Sequence, residues 1–97
     1  MADVFRVLVH RNSDALHLRL EGDFDDEAAR QVVFLIGANV NGAGKVFIHT
    51  NGLGRISPVG QEVFHKNLPA LQRDRVSYIF TGEKARQIAP KGVRVLI

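Results

Sequence analysis

Residues 45–60, Lys-Val-Phe-Ile-His-Thr-Asn-Gly-Leu-Gly-Arg-Ile-Ser-Pro-Val-Gly, decide the fold class. Lys45 to His49 is a short apolar, β-forming run of the kind found in the middle of a sheet. Asn51 to Ile56 is polar and carries Gly52 and Gly54, so it reads as a connection. Ser57-Pro58 then marks a helix start. A serine hydroxyl can accept one of the orphan N–H groups of a first turn, and proline at the first helical position lacks an N–H that would be orphaned there anyway. A strand that feeds a helix in this way is half of a βαβ unit, which places the chain among α/β folds.

Working upstream, Val4 to His10 and Ala15 to Glu21 are β-rich and flank the turn residues Asn12-Ser13-Asp14, a hairpin pattern. Leu16, Leu18 and Leu20 share one face of the second strand and His17, Arg19 and Glu21 the other, so this part of the sheet is covered on one side. Asp25 or Asp26 can cap a helix whose apolar stripe is Ala28, Ala29, Val32, Val33, Leu35 and Ile36, with Gly37 placed to end it and Asn39 to Gly44 a loop. Downstream of Ser57, the helix is expected to turn Val59, Val63, Phe64 and Leu68 inward, to stop near Asn67 because of Pro69, and to resume briefly through Leu71. A strand over Val76 to Phe80, a short helix from Thr81 or Gly82 to about Ala89, a turn at Pro90-Lys91-Gly92 and a strand over Val93 to Ile97 complete the pattern. The order is β-β-α-β-α-β-α-β: one domain over residues 1–97, a mixed sheet of four to five strands with right-handed crossovers and helices mainly on one face.

At 97 residues and 45% hydrophobic, the chain can build one core but not two. It has no apolar run long enough to span a bilayer, and residues 1–12 lack the apolar core and cleavage site of a secretion signal, so no membrane insertion and a cytoplasmic location are expected. Zero cysteines exclude disulfides, thiolate metal sites and cysteine nucleophiles. The net charge of +3 divides unevenly: residues 1–44 hold four Arg/Lys against seven Asp/Glu, and residues 45–97 hold nine against three. That asymmetry suits an anionic partner or a head-to-tail contact. The basic residues are scattered along the chain and no Lys/Arg-Gly-aromatic motif of the RNA-recognition type occurs, so no direct nucleic-acid partner is expected.

The chemical motifs are sparse. Gly42-Ala43-Gly44-Lys45 lacks a glycine at Asn39 and a hydroxyl at Val46, and it precedes a strand where a phosphate loop follows one. Gly52, Gly54 and Gly60 miss the dinucleotide spacing. His10, His17, His49 and His65 show neither helical i, i+4 pairing nor close clustering, so no metal and no cofactor are expected. His65 lies eight residues beyond Ser57, about 12 Å along a helix, too far to serve it as a base. A minimal serine hydrolase built on Ser57 and His49 is the weakest reading, because capping already explains the serine. The junction of strand and helix is more informative: Thr50, Arg55 and Ser57 stand where free N–H groups and a helix dipole favour a small anion, a nucleotide or a lipid headgroup.

Gly22-Asp23-Phe24-Asp25 ahead of a helix, with an apolar strand leading to Ser57-Pro58-Val59-Gly60, resembles the STAS domain of sulphate transporters and anti-sigma-factor antagonists. Gly22-Asp23-Phe24-Asp25 matches the Gly-x-apolar-Asp signature before a helix, and Val46 to Ile56 followed by Ser57-Pro58-Val59-Gly60 falls without gaps on an apolar strand, a polar stretch and Asp-Ser-Ser-Gly. The resemblance implies a non-enzymatic interaction module that docks on a kinase-like anti-sigma factor or a transporter ATPase subunit, with a homodimer as a further possibility. Its contact surface would comprise Asn51, Gly54, Arg55, Ser57, Pro58, Val59 and Gln61. Val59 occupies the position of the serine that a partner kinase phosphorylates in the family, and Ser57 that of its aspartate, so no phosphorylation is expected at the usual site; sliding the register to make Ser57 the acceptor leaves Gly60 unmatched. A valine there would leave the surface permanently apolar and free of the charge switch that phosphate provides. The family's helix after the last strand has no counterpart up to Ile97, so one face is expected to be left for a partner or a second copy.

Overall fold

A computed structural model describes residues 4–71 and 76–97. The elements run β1 (Arg6–Arg11), β2 (Ala15–Phe24), α1 (Asp26–Asn39), β3 (Lys45–Ile56), α2 (Pro58–Asn67), a 3₁₀ turn (Leu68–Leu71), β4 (Ser77–Thr81), α3 (Ala85–Ile88) and β5 (Arg94–Leu96). The expected α/β order is present, on a five-stranded mixed sheet whose spatial order β1-β2-β3-β4-β5 repeats the chain order. β1 and β2 are antiparallel, and every later pair is parallel. Three crossovers that all advance in the same direction place their helices on one face of the sheet, as crossovers of a single hand do.

The core lies between that face and the helices. Leu16, Leu18 and Leu20 of β2, Val46 and Ile48 of β3, and Tyr78 and Phe80 of β4 meet Ala29, Val32 and Ile36 of α1, Phe64 of α2, and Ala85 and Ile88 of α3. Phe24, Phe64 and Phe80 run edge to face through it at centroid distances of 5.7 and 5.9 Å. The hairpin turn closes through the Asn12 N–H on the Ala15 carbonyl and the Ala15 N–H on the Asn12 side chain. Asp14 then ties the turn to the start of β3, accepting from the Gly44 N–H.

Four expectations need correction. Gly37 does not end α1: its φ is not positive, the helix runs on to Asn39, and Val40 is the C-cap. Asn51 to Ile56 is not a loop but the second half of a 12-residue β3, paired with Glu21 to Phe24 across two register shifts. Local glycine content suggested a connection, whereas Gly52 is there because a Cβ would stand 2.8 Å from the Leu20 carbonyl oxygen of the neighbouring strand. Val59 points outward and is 56% exposed, because it belongs to the first turn of α2, beyond the edge of the core. The third helix is only Ala85–Ile88 and lacks a side-chain cap. Pro69 does what was expected of it: α2 stops at Asn67 and one 3₁₀ turn follows.

Candidate functional site

Each residue of Gly22-Asp23-Phe24-Asp25 has a distinct structural task. Gly22 holds a φ of +93°, where a side chain would collide with the Val4 carbonyl. The Asp23 carboxylate accepts from the Arg55 N–H at 2.9 Å, which pins the end of β3. Phe24 is fully buried. Asp25 caps α1 by accepting from the Ala28 N–H at 2.9 Å.

The start of α2 is built against this segment. Ser57 donates its backbone N–H to the Phe24 carbonyl, and its hydroxyl accepts from the Gly60 N–H at 2.9 Å. A Cβ at Gly60 would sit 2.7 Å from the Phe24 carbonyl oxygen and 2.9 Å from that of Asp25, so the backbones meet directly. On the other side, the Lys84 ammonium donates to the carbonyls of Leu53 and Gly54 at 2.7 and 2.6 Å, while the Gln61 amide donates to the Gln87 carbonyl. His65 Nε2 lies 2.8 Å from the Ile88 carbonyl oxygen. The short α3 is thus held to α2 by side chains, and together they frame an open cleft of about 590 Å³ in which Asp23 and Asp25 face Arg55 and Lys84.

What reaches solvent at this junction is Asn51, Arg55, Pro58 and Val59, with Ser57, Gly54 and Gln61 half-buried beside them. Thr50 is withdrawn from the expected anion set: it is fully buried, and its hydroxyl donates to the Thr81 carbonyl at 2.7 Å. Ser57 and His49 do not form a catalytic pair. The serine oxygen caps α2, and the imidazole lies on the opposite, helix-free face of the sheet.

On that face the expectation of dispersed histidines fails. β2 and β3 bring His17 Nδ1 within 3.0 Å of His49 Nε2, and His49 Nδ1 lies 2.7 Å from the Thr81 hydroxyl. Burial first, then the positive charges of His17 and Arg19, hold the His49 imidazole below the ordinary histidine range. His10 adds a tilted ring 6.2 Å from His17, yet no group of three or more metal-ligating side chains forms among the described residues. His10 and His17 face each other across the hairpin, whereas His49 lies 32 residues beyond His17, and only the strand register, which single-strand alternation does not give, unites it with them.

The fold is similar to that of solved proteins, two anti-sigma factor antagonists among them. One is an anti-sigma factor antagonist from Mycobacterium paratuberculosis, with a TM-score of 0.64 and 17% identity over 88% of this chain and 74% of that one. The fold is that of the anti-sigma factor antagonists. The other is the antagonist SpoIIAA in its unphosphorylated form, with a TM-score of 0.64 and 15% identity over 97% of this chain and 88% of that one. No family model and no curated protein matches the sequence. At such identities the likeness is one of fold, and the expected STAS-like architecture is present on it. No helix among the described residues is long and apolar enough to cross a membrane.

Proposed function

We propose that the chain is a non-enzymatic interaction module that docks a protein partner on the β3–α2 junction, through Asn51, Gly54, Arg55, Ser57, Pro58, Val59 and Gln61. The observation that carries this reading is Val59: a valine 56% exposed on the first turn of a helix whose neighbours are committed to structural bonds. An apolar side chain held outward on a rigid turn is a contact point, and the exposed Arg55 and half-buried Gln61 of the same junction supply the polar groups that accompany the apolar centre of a small docking surface. The likeness to two anti-sigma factor antagonists supports a partner of the kinase-like anti-sigma factor kind, with a transporter ATPase subunit as the other partner type that the resemblance implies.

Val59 replaces the acceptor that a phosphorylation switch requires, so the module is constitutively competent to bind. Ser57, two residues upstream, does not substitute for it, because its hydroxyl caps α2. A free anion, nucleotide or lipid headgroup fits the cleft less well than a protein does. Lys84 is already engaged by two carbonyls, and Asp23 and Asp25 offset Arg55 in the same space.

Val59→Glu places a carboxylate at the centre of the surface without touching the core. Titration against the purified partner by calorimetry is expected to show at least a tenfold loss of affinity, because a buried charge without a counterpart is costly. Val59→Ser, which stays neutral but gives up the apolar contact, is expected to lose affinity, though less than Val59→Glu. Equal affinity for Val59→Glu overturns the assignment of this surface.

A further inference from the structure

The face of the sheet opposite the helices is left bare by the sequential strand order, and its composition is unlike that of the docking surface. The register places Arg19 of β2, Lys45 of β3 and Arg94 of β5 on this face. None of the three has an ion-pair partner among the described residues. Glu21 is the one carboxylate of the paired rows on this face, and Arg6 neutralises it at 2.7 Å. Residues scattered through the sequence are therefore gathered into a cationic surface.

Between the cations lies a group of parallel rings. The Phe47 and His17 rings stack with centroids 4.7 Å apart and an interplanar angle of 5°. His17 and His49 are parallel within 4° with centroids 5.3 Å apart, and their 3.0 Å nitrogen contact sets them edge to edge. All three rings thus share one orientation, so a planar group that stacks on one is parallel to all. Hollows flank the rings on both sides, one of about 520 Å³ reaching Lys45, Phe47 and Arg94, the other of about 340 Å³ reaching His10, His17 and Arg19.

We propose that this open face binds single-stranded nucleic acid, with bases stacked against the His17, Phe47 and His49 rings and phosphates on Arg19, Lys45 and Arg94. Cations beside aromatic faces are the two elements that sequence-tolerant single-strand binding requires. Arg19 and Arg94 stand three strands apart, about 14 Å at ~4.8 Å per strand. A chain of nucleotides covers that span and a lone phosphate does not. A second copy of this chain is disfavoured as the occupant, since two such faces would oppose like charges.

The test is fluorescence anisotropy of labelled single-stranded oligothymidylate and oligouridylate, about twelve nucleotides long, with the full chain. Binding is expected at low salt and should weaken roughly 20-fold between about 50 and 200 mM salt, as three phosphate contacts require. The Arg19→Glu/Lys45→Glu double variant, altered at exposed positions only, is expected to lose at least tenfold in affinity. Phe47→Leu, which keeps an apolar side chain but no ring, is expected to lose about fivefold or more. Val59→Glu should bind as the natural chain does, which separates this face from the docking surface. Comparison of the two oligonucleotides shows whether RNA or DNA is preferred. The proposal is overturned by absence of binding at low salt, by unchanged affinity in either open-face variant, by equally tight binding of polyglutamate, or by sedimentation showing a dimer that the double variant dissociates.

Discussion

Gly60 lets two backbones touch: carbonyl oxygens of Phe24 and Asp25 stand 2.7 and 2.9 Å from where its Cβ would be. Because those atoms are main chain and cannot swing aside, Gly60→Ala is expected to cost about 1–3 kcal/mol in urea unfolding, as overpacking does. Ser57→Ala should cost about 1 kcal/mol through the lost cap. The two residues differ in how they could be read. Ser57-Pro58 is local chemistry and is legible in the sequence, whereas the need for glycine at position 60 arises from a segment 35 residues away and is visible only in the fold. His49 is similar, since its partners His17 and Thr81 come from other strands. Its imidazole is held below the ordinary range by burial and by the charges of His17 and Arg19. The unfolded chain takes up this proton as pH falls below about 6.5, and the folded chain does so only further down. The contribution of His49 is therefore complete above that pH and is lost on acidification toward its folded value. His49→Gln should flatten this part of the stability curve in urea titrations from pH 8 to 5; an unchanged slope would refute the assignment to His49.

At the scale of elements, periodicity together with cap and turn residues locates each described strand and helix but misjudges extents where tertiary pairing overrides local signals. Gly52 and Gly54 suggested a loop, yet β2 supplies enough pairing for β3 to continue to Ile56. Gly37 suggested a helix end, yet it lies within α1, where Leu71 comes within 3.5 Å of its would-be Cβ position. Alternation in β2 did reveal the one-sided sheet, since Leu16, Leu18 and Leu20 are all fully buried. That one-sidedness makes a prediction about two phenylalanines. Phe64 is fully buried between Phe24 and Phe80, so Phe64→Ala is expected to cost about 3–5 kcal/mol. Phe47 belongs to the central strand but is half-buried on the open face, so Phe47→Ala should cost distinctly less. Equal losses in chemical denaturation would mean that the open face is covered in the folded chain.

Over the whole molecule, sequential strand order separates two surfaces. The helix-bearing side ends in a rigid junction where the β2–α1 turn, the end of β3 and α3 together fix the first turn of α2. The other side is a bare sheet. If the junction carries the protein partner, site-resolved crosslinking from it captures that partner. A photoreactive side chain at Arg55, exposed at the same junction, would be used in cell extract with the natural chain and with a Val59→Glu variant of unchanged circular dichroism and melting temperature. The expected result is one protein crosslinked by the natural chain and lost in the variant, with the purified pair reproducing the contact. The same protein crosslinked equally by both chains would contradict docking at this junction.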